Sequence, residues 1–63
     1  MNAVMQYRII GDGGRVLAVN LSLQEAKEKF QGDERSERIE ARSMAIVYGN
    51  WGEINKHCYV KEN

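Results

Sequence analysis

Apolar and polar residues alternate on both sides of a glycine cluster near the start of the chain. Val4 to Ile10 is apolar and β-prone, Gly11-Asp12-Gly13-Gly14 interrupts it, and Arg15 to Asn20 resumes a strand-like run. Asp-Gly between two such runs predicts a hairpin, because a type I′ turn needs positive φ at both central residues. With Asp12-Gly13 as the turn, Ile10 pairs with Arg15 and Tyr7 with Ala18. Alternation then puts Met5, Tyr7, Ile9, Val16 and Ala18 on one face and Val4, Gln6, Arg8, Ile10, Arg15, Leu17 and Val19 on the other. The first set is the more uniformly apolar and is expected to face the core.

Beyond Asn20 the period lengthens. Ser22-Leu23-Gln24-Glu25 is a capping box, in which the Ser22 hydroxyl accepts from the Glu25 backbone N–H while the Glu25 carboxylate reaches back. Leu21 precedes the cap and Ala26 occupies the staple position. Leu23, Ala26 and Phe30 form an apolar stripe at i, i+3, i+7, and Glu25 and Lys29 stand i, i+4 on the solvent side. Gly32 suits a left-handed terminator, so the expected helix runs from Leu23 to Gln31.

Asp33 to Glu37 reads as a charged connection. A long strand from Arg38 to Tyr48, a turn at Gly49-Asn50-Trp51-Gly52 and a return strand from Glu53 to Lys61 are expected to follow. Ile39, Ala41, Ser43, Ala45 and Val47 then share a face with Ile54, Cys58 and Val60, with Lys56 as the misfit. The opposite face carries Met44, Ile46 and Tyr48 beside His57 and Tyr59, with Glu40 opposite Lys61 and Arg42 opposite Tyr59. The predicted class is α+β: a ββαββ antiparallel sheet with one short helix packed on one face. So short a helix covers one face only and leaves Leu17, Val19, Met44, Ile46, Tyr48 and Tyr59 as an exposed patch of the kind that marks an interface.

Sixty-three residues fit a single small domain spanning 1–63. A chain of this size buries only about 60% of the surface its unfolded form exposes. Its one cysteine, Cys58, rules out an intrachain disulfide, and with no apolar signal segment after Met1 the expected location is the cytoplasm. For the same reason Asn20-Leu21-Ser22 is read as a chance match to a glycosylation sequon. No apolar run approaches the roughly 18 residues that span a bilayer, so no membrane is expected. Nine basic and nine acidic side chains cancel, which removes the long-range pull on nucleic acid that a basic domain exerts. A hydrophobic content of 43% belongs to a folded domain rather than a disordered tail.

Nothing in the chain meets the minimum for catalysis. Gly11-Asp12-Gly13-Gly14 is followed by a strand, whereas a phosphate cradle needs a helix there. His57 and Cys58 are the only residues of their kinds, too few for structural zinc, and as neighbours in a strand they point to opposite faces. Ser22 is occupied as a cap, and Asp33, Glu34 and Glu37 read as a solvated loop. The expectation is no enzyme activity, no cofactor and no metal.

Trp51 lies in a turn between glycines, where it either folds back to cap the core or protrudes as a binding anchor, the role in which Trp, Tyr and Arg dominate. The candidate partner-binding residues are Trp51, Tyr48, Tyr59, Met44, Ile46, Arg42 and Asn50, and the expected function is protein binding. Arg8, Arg15, Arg42, Lys56 and Lys61, interleaved with the aromatics, supply an alternative in which the sheet stacks nucleic-acid bases. A structural homodimer is a third reading.

The order Tyr7-Arg8-Ile9-Ile10, a glycine hairpin, then Ser22-Leu23-Gln24-Glu25-Ala26-Lys27 resembles several small phage-encoded inhibitor proteins, among them some anti-CRISPR proteins and some phage inhibitors of bacterial RNA polymerase. The resemblance is architectural, covers roughly residues 4 to 48, and carries over no binding residue by position. It implies a protein that binds and sterically blocks or adapts a larger host complex.

Overall fold

The computed structural model describes residues 4–44, 49–56 and 59. In chain order these form β1 (Met5–Gly11), β2 (Val16–Leu21), α1 (Leu23–Gly32), β3 (Ser36–Ser43) and β4 (Gly52–Glu53), the predicted ββαββ arrangement. The sheet is antiparallel throughout, in the order β2-β1-β3-β4. β1 and β3 are therefore the central pair, and α1 carries the chain from the β2 edge to the far side of β1.

The hairpin closes differently from a two-residue Asp12-Gly13 turn. Asp12–Gly14 forms a tight turn, and the Gly11 N–H donates to the Arg15 carbonyl at 2.7 Å. Positive φ falls on Gly13 (72°) and Gly14 (78°), two glycines in succession, so Asp12 is spared a conformation that costs a residue with a Cβ. Ile10 consequently pairs with Val16, Ile9 with Ala18 and Tyr7 with Leu21, with two register shifts. The first shift inserts Leu17 as an extra residue and lets it pack against the helix-side core, not on the open face as expected. The second accompanies Asn20, whose φ is 57°. Gly11 has no room for a side chain: a Cβ there would lie 2.7 Å from Leu17 Cδ1 and 2.8 Å from the Arg35 carbonyl oxygen.

The capping box forms as predicted. Ser22 Oγ accepts from the Glu25 N–H at 3.2 Å, and Glu25 Oε1 accepts from the Ser22 N–H at 3.0 Å. These bonds from Ser22 hold the Glu25 carboxyl below its usual pKa. The helix ends without a left-handed glycine, since Gly32 is still helical and Asp33 is already extended. Asp33 makes the turn itself: its side chain accepts from the Arg35 backbone N–H at 2.9 Å and its carbonyl from the Ser36 N–H at 3.0 Å.

Ile9, Leu21, Ala26, Ile39 and Tyr59 form the core, ringed by Tyr7, Leu17, Ala18, Phe30 and Ile54. Ala26 is fully buried, and its small side chain lets α1 lie close on β1 and β3. Met5 and Val16, expected in this core, are exposed. Met5 opens β1, and Val16 lies opposite Ile10 on the other face.

The second half of the sheet departs further from expectation. β3 ends at Ser43, and β4 pairs only Gly52 with Ala41 and Glu53 with Glu40. Glu40 therefore faces Glu53 rather than Lys61. The Tyr59 N–H donates to the Lys56 carbonyl at 3.1 Å, a turn where a continued strand was expected. That turn breaks the alternation and moves Tyr59 to the helix side, where it is 3% exposed and meets Phe30 edge-on at 4.7 Å between ring centres. The expectations for Ala45, Ile46, Val47, Tyr48, His57, Cys58, Val60 and Lys61 lie outside the described residues.

Candidate functional site

Even-numbered residues of β1 and β3 build the sheet face that α1 does not cover. The β1–β3 register sets Gln6 beside Arg42, Arg8 beside Glu40 and Ile10 beside Arg38. The aromatic and aliphatic patch expected here is replaced, over these rows, by a hydrogen-bonded polar network.

Glu40 is its centre. Only 9% exposed, it accepts from Arg8 at Oε1, through Nε at 2.8 Å and Nη2 at 2.6 Å, and from Arg38 Nε at Oε2 at 3.0 Å. Desolvation pushes the Glu40 carboxyl up, but the bonds from Arg38 and Arg8 outweigh it, and its pKa lies below the ordinary value. The same bond from Glu40 raises the Arg38 pKa. A second chain of bonds runs beside the first. Arg42 Nε donates to Gln6 Oε1 at 2.9 Å, and Gln6 Nε2 donates to Asn20 Oδ1. The left-handed backbone of Asn20 at the β2 irregularity brings that amide within reach.

Trp51 joins both chains. It immediately precedes β4, so the pairing of Gly52 with Ala41 delivers its ring to the open face. The guanidinium carbons of Arg8 and Arg42 lie 4.3 Å and 4.5 Å from the ring centre. Each such contact is worth about 0.5–1 kcal/mol when exposed and more when desolvated. The tryptophan thus neither caps the helix-side core nor swings free: it rests half-buried on two oriented cations.

Of the candidate binding residues, Trp51 and Arg42 come together directly. Asn50 is exposed next to Trp51 in the chain, and Met44 is 58% exposed at the end of this face. The Met44 N–H donates to the Val4 carbonyl at 2.9 Å, which sets it beside Val4, itself 67% exposed. Tyr59 leaves the set because it belongs to the core, and Tyr48 and Ile46 lie outside the described residues. Sequence reasoning missed Glu40, Arg38, Gln6 and Asn20 as parts of the site. The signal was present as charged residues at every second position from Arg38 to Arg42, but reading it required β3 to be paired with β1 as well as with the return strand.

On the helix side, a groove of about 270 Å³ is lined by Ile9, Leu17, Ala18, Lys29, Gly32, Asp33 and Ser36. It falls just under the roughly 300–1,000 Å³ of small-molecule sites. Among the described residues no cluster of three or more His, Cys, Asp or Glu is placed to hold a metal ion, and no helix is long and apolar enough to cross a membrane. No family model, curated protein or solved structure matches the chain, so the meaning of the open face rests on its own geometry.

Proposed function

We propose that this chain is a non-enzymatic protein-interaction module of the cytoplasm that docks a larger protein complex through the helix-free face of its sheet, blocking or adapting that complex by occupying its surface. One observation carries the reading: Trp51 is held against Arg8 and Arg42, which are themselves fixed by Glu40 and Gln6. An aromatic anchor ordered before binding loses little further freedom on docking, and Trp and Arg are the residues that dominate interface energies.

The test is affinity capture from a host lysate with the wild-type chain and with Trp51→Ala, each with and without nuclease. The expected outcome is a stoichiometric, nuclease-resistant complex that the variant loses, with a binding cost of about 2 kcal/mol or more. Its far-UV circular dichroism stays that of the wild type and its stability falls by only about 1–2 kcal/mol, the sum of the two cation–π contacts, because the ring lies outside the helix-side core. Unchanged capture by a folded Trp51→Ala protein would sink the proposal.

A second reading is favoured by the same contact, since a tryptophan beside arginines also suits stacked bases. The exposed Glu53 stands on this face opposite Glu40, and the net charge is zero. Both weigh against a polyanionic backbone. Partners lost on nuclease treatment, with retention that falls steeply as salt rises, would decide for nucleic acid.

A further inference from the structure

We infer that Arg42 reads a carboxylate of the partner, so that the open face takes a protein segment carrying Asp or Glu beside an apolar residue. This deepens the proposed function and rests on it.

The three arginines of the face are not equivalent. Arg8 directs Nε and Nη2 to Glu40, and Arg38 directs its Nε to the same carboxylate. Both are thus bonded to one internal carboxylate, which they share. Arg42 bonds through Nε to a neutral amide, Gln6 Oε1, and among the described residues it has no acidic partner within ion-pair distance. Its guanidinium is nevertheless oriented. Gln6 is held in turn by Asn20, and the Trp51 ring lies 4.5 Å from the guanidinium carbon. Fixing Nε leaves the planar fork of terminal N–H groups, the geometry that suits a carboxylate.

The surroundings set the rest of the ligand. Val4 and Met44, both exposed, lie two residues beyond the Gln6–Arg42 pair, so an apolar side chain next to the acid has a surface to cover. Glu40 and Glu53 stand on the side of Arg42 away from Met44. A single carboxylate seated on Arg42 meets the cation alone, whereas a run of phosphates extending along the face would also meet the exposed Glu53. The charge pattern therefore selects an acidic-apolar protein segment over a nucleic acid.

A random peptide library displayed on phage, panned on the immobilised chain, tests this without a known partner. Enriched sequences are expected to carry Asp or Glu next to an apolar residue. A synthetic peptide of the leading sequence should lose at least about tenfold affinity for Arg42→Gln, as removal of a charged hydrogen bond implies. It should lose a similar factor when its own acid is made an amide, and the two losses should not add. The melting curve of Arg42→Gln should stay near wild type. Enriched peptides without acids, or equal binding to Arg42→Gln, would overturn the carboxylate assignment. If that binding is still lost in Trp51→Ala, the docking face stands and only the partner chemistry is wrong. Peptides indifferent to both substitutions, or no enrichment, would overturn the docking face itself. An oligo(dT) that binds through Arg42 where no peptide does would assign the face to nucleic acid.

Discussion

Beneath α1, strands β1 and β3 present Ile9 and Ile39 to Ala26, Leu21 and Tyr59; on their other side the same strands present Arg8, Arg38, Glu40 and Arg42 to one another and to Trp51. Neighbouring residues of one strand thus enter two kinds of packing. The helix side is held by apolar burial, which is non-directional and scales with area removed from water. The open side is held by directed bonds between named atoms. Area gives stability to a small chain, and direction gives side-chain positions ordered before any partner arrives. The lesson is a division of labour across the thickness of one sheet.

The largest loss of stability is expected from Ile39→Ala on the helix side. The residue is fully buried, and its truncation should cost about 2–5 kcal/mol, a large part of the stability of a domain this small. Urea unfolding followed by circular dichroism should show a largely unfolded variant.

Glu40→Ala comes next. It leaves Arg8 and Arg38 facing each other across a gap but still partly solvated, so a cost of roughly 2 kcal/mol is expected, short of the full penalty for a buried pair. Trp51 fluorescence should shift as Arg8 is released. Acid probes the same bonds. The Glu40 pKa lies below its ordinary 4.5, and Asp33, held by side-chain and backbone bonds from Arg35, falls from 3.8 to about 2. Both carboxyls are depressed in the folded state, so their stabilisation is complete above their unfolded pKa values and is lost as pH falls through the folded ones. The urea midpoint should therefore drop from about pH 4.5 downward, and Glu40→Ala should remove part of that drop. An identical acid profile in the variant would show that Glu40 is not a contributor.

Ser22→Ala should have the smallest effect, about 1 kcal/mol, through loss of the cap bond to Glu25, with the binding face untouched. Equal losses of peptide binding and stability in this variant would mean that the two faces are not separable.

The parts of this fold that were legible in the sequence are those set by near neighbours. Ser22 and Glu25 make their cap within four residues, and the glycines after Ile10 announce a turn whatever surrounds them. The turn's inner detail was misjudged because Gly13 and Gly14 offered positive φ at less cost than Asp12. The pairing of β1 with β3 joins residues 25 to 38 positions apart, and no local pattern specifies it. Without that pairing, Glu40 was assigned to Lys61 and Arg8 to a basic surface, and their bond to each other was not seen. Trp51 and Arg42 were recognisable as candidates by residue type, and their common position was not. Tyr59 was misplaced because one turn after Lys56 cancels the alternation on which its face was assigned.

The bend at Asn20 has a consequence for the molecule in company. β2 is an edge strand, and Val16-Leu17-Ala18-Val19 is an uncharged, β-prone run of the kind that templates growth onto another chain. Where the register slips and the backbone turns left-handed, the row of outward N–H and C=O groups loses its repeat. An incoming strand meets only a short stretch of matching groups before the ladder fails. The irregularity that brings Asn20 to Gln6 also shortens the regular edge that another chain could extend.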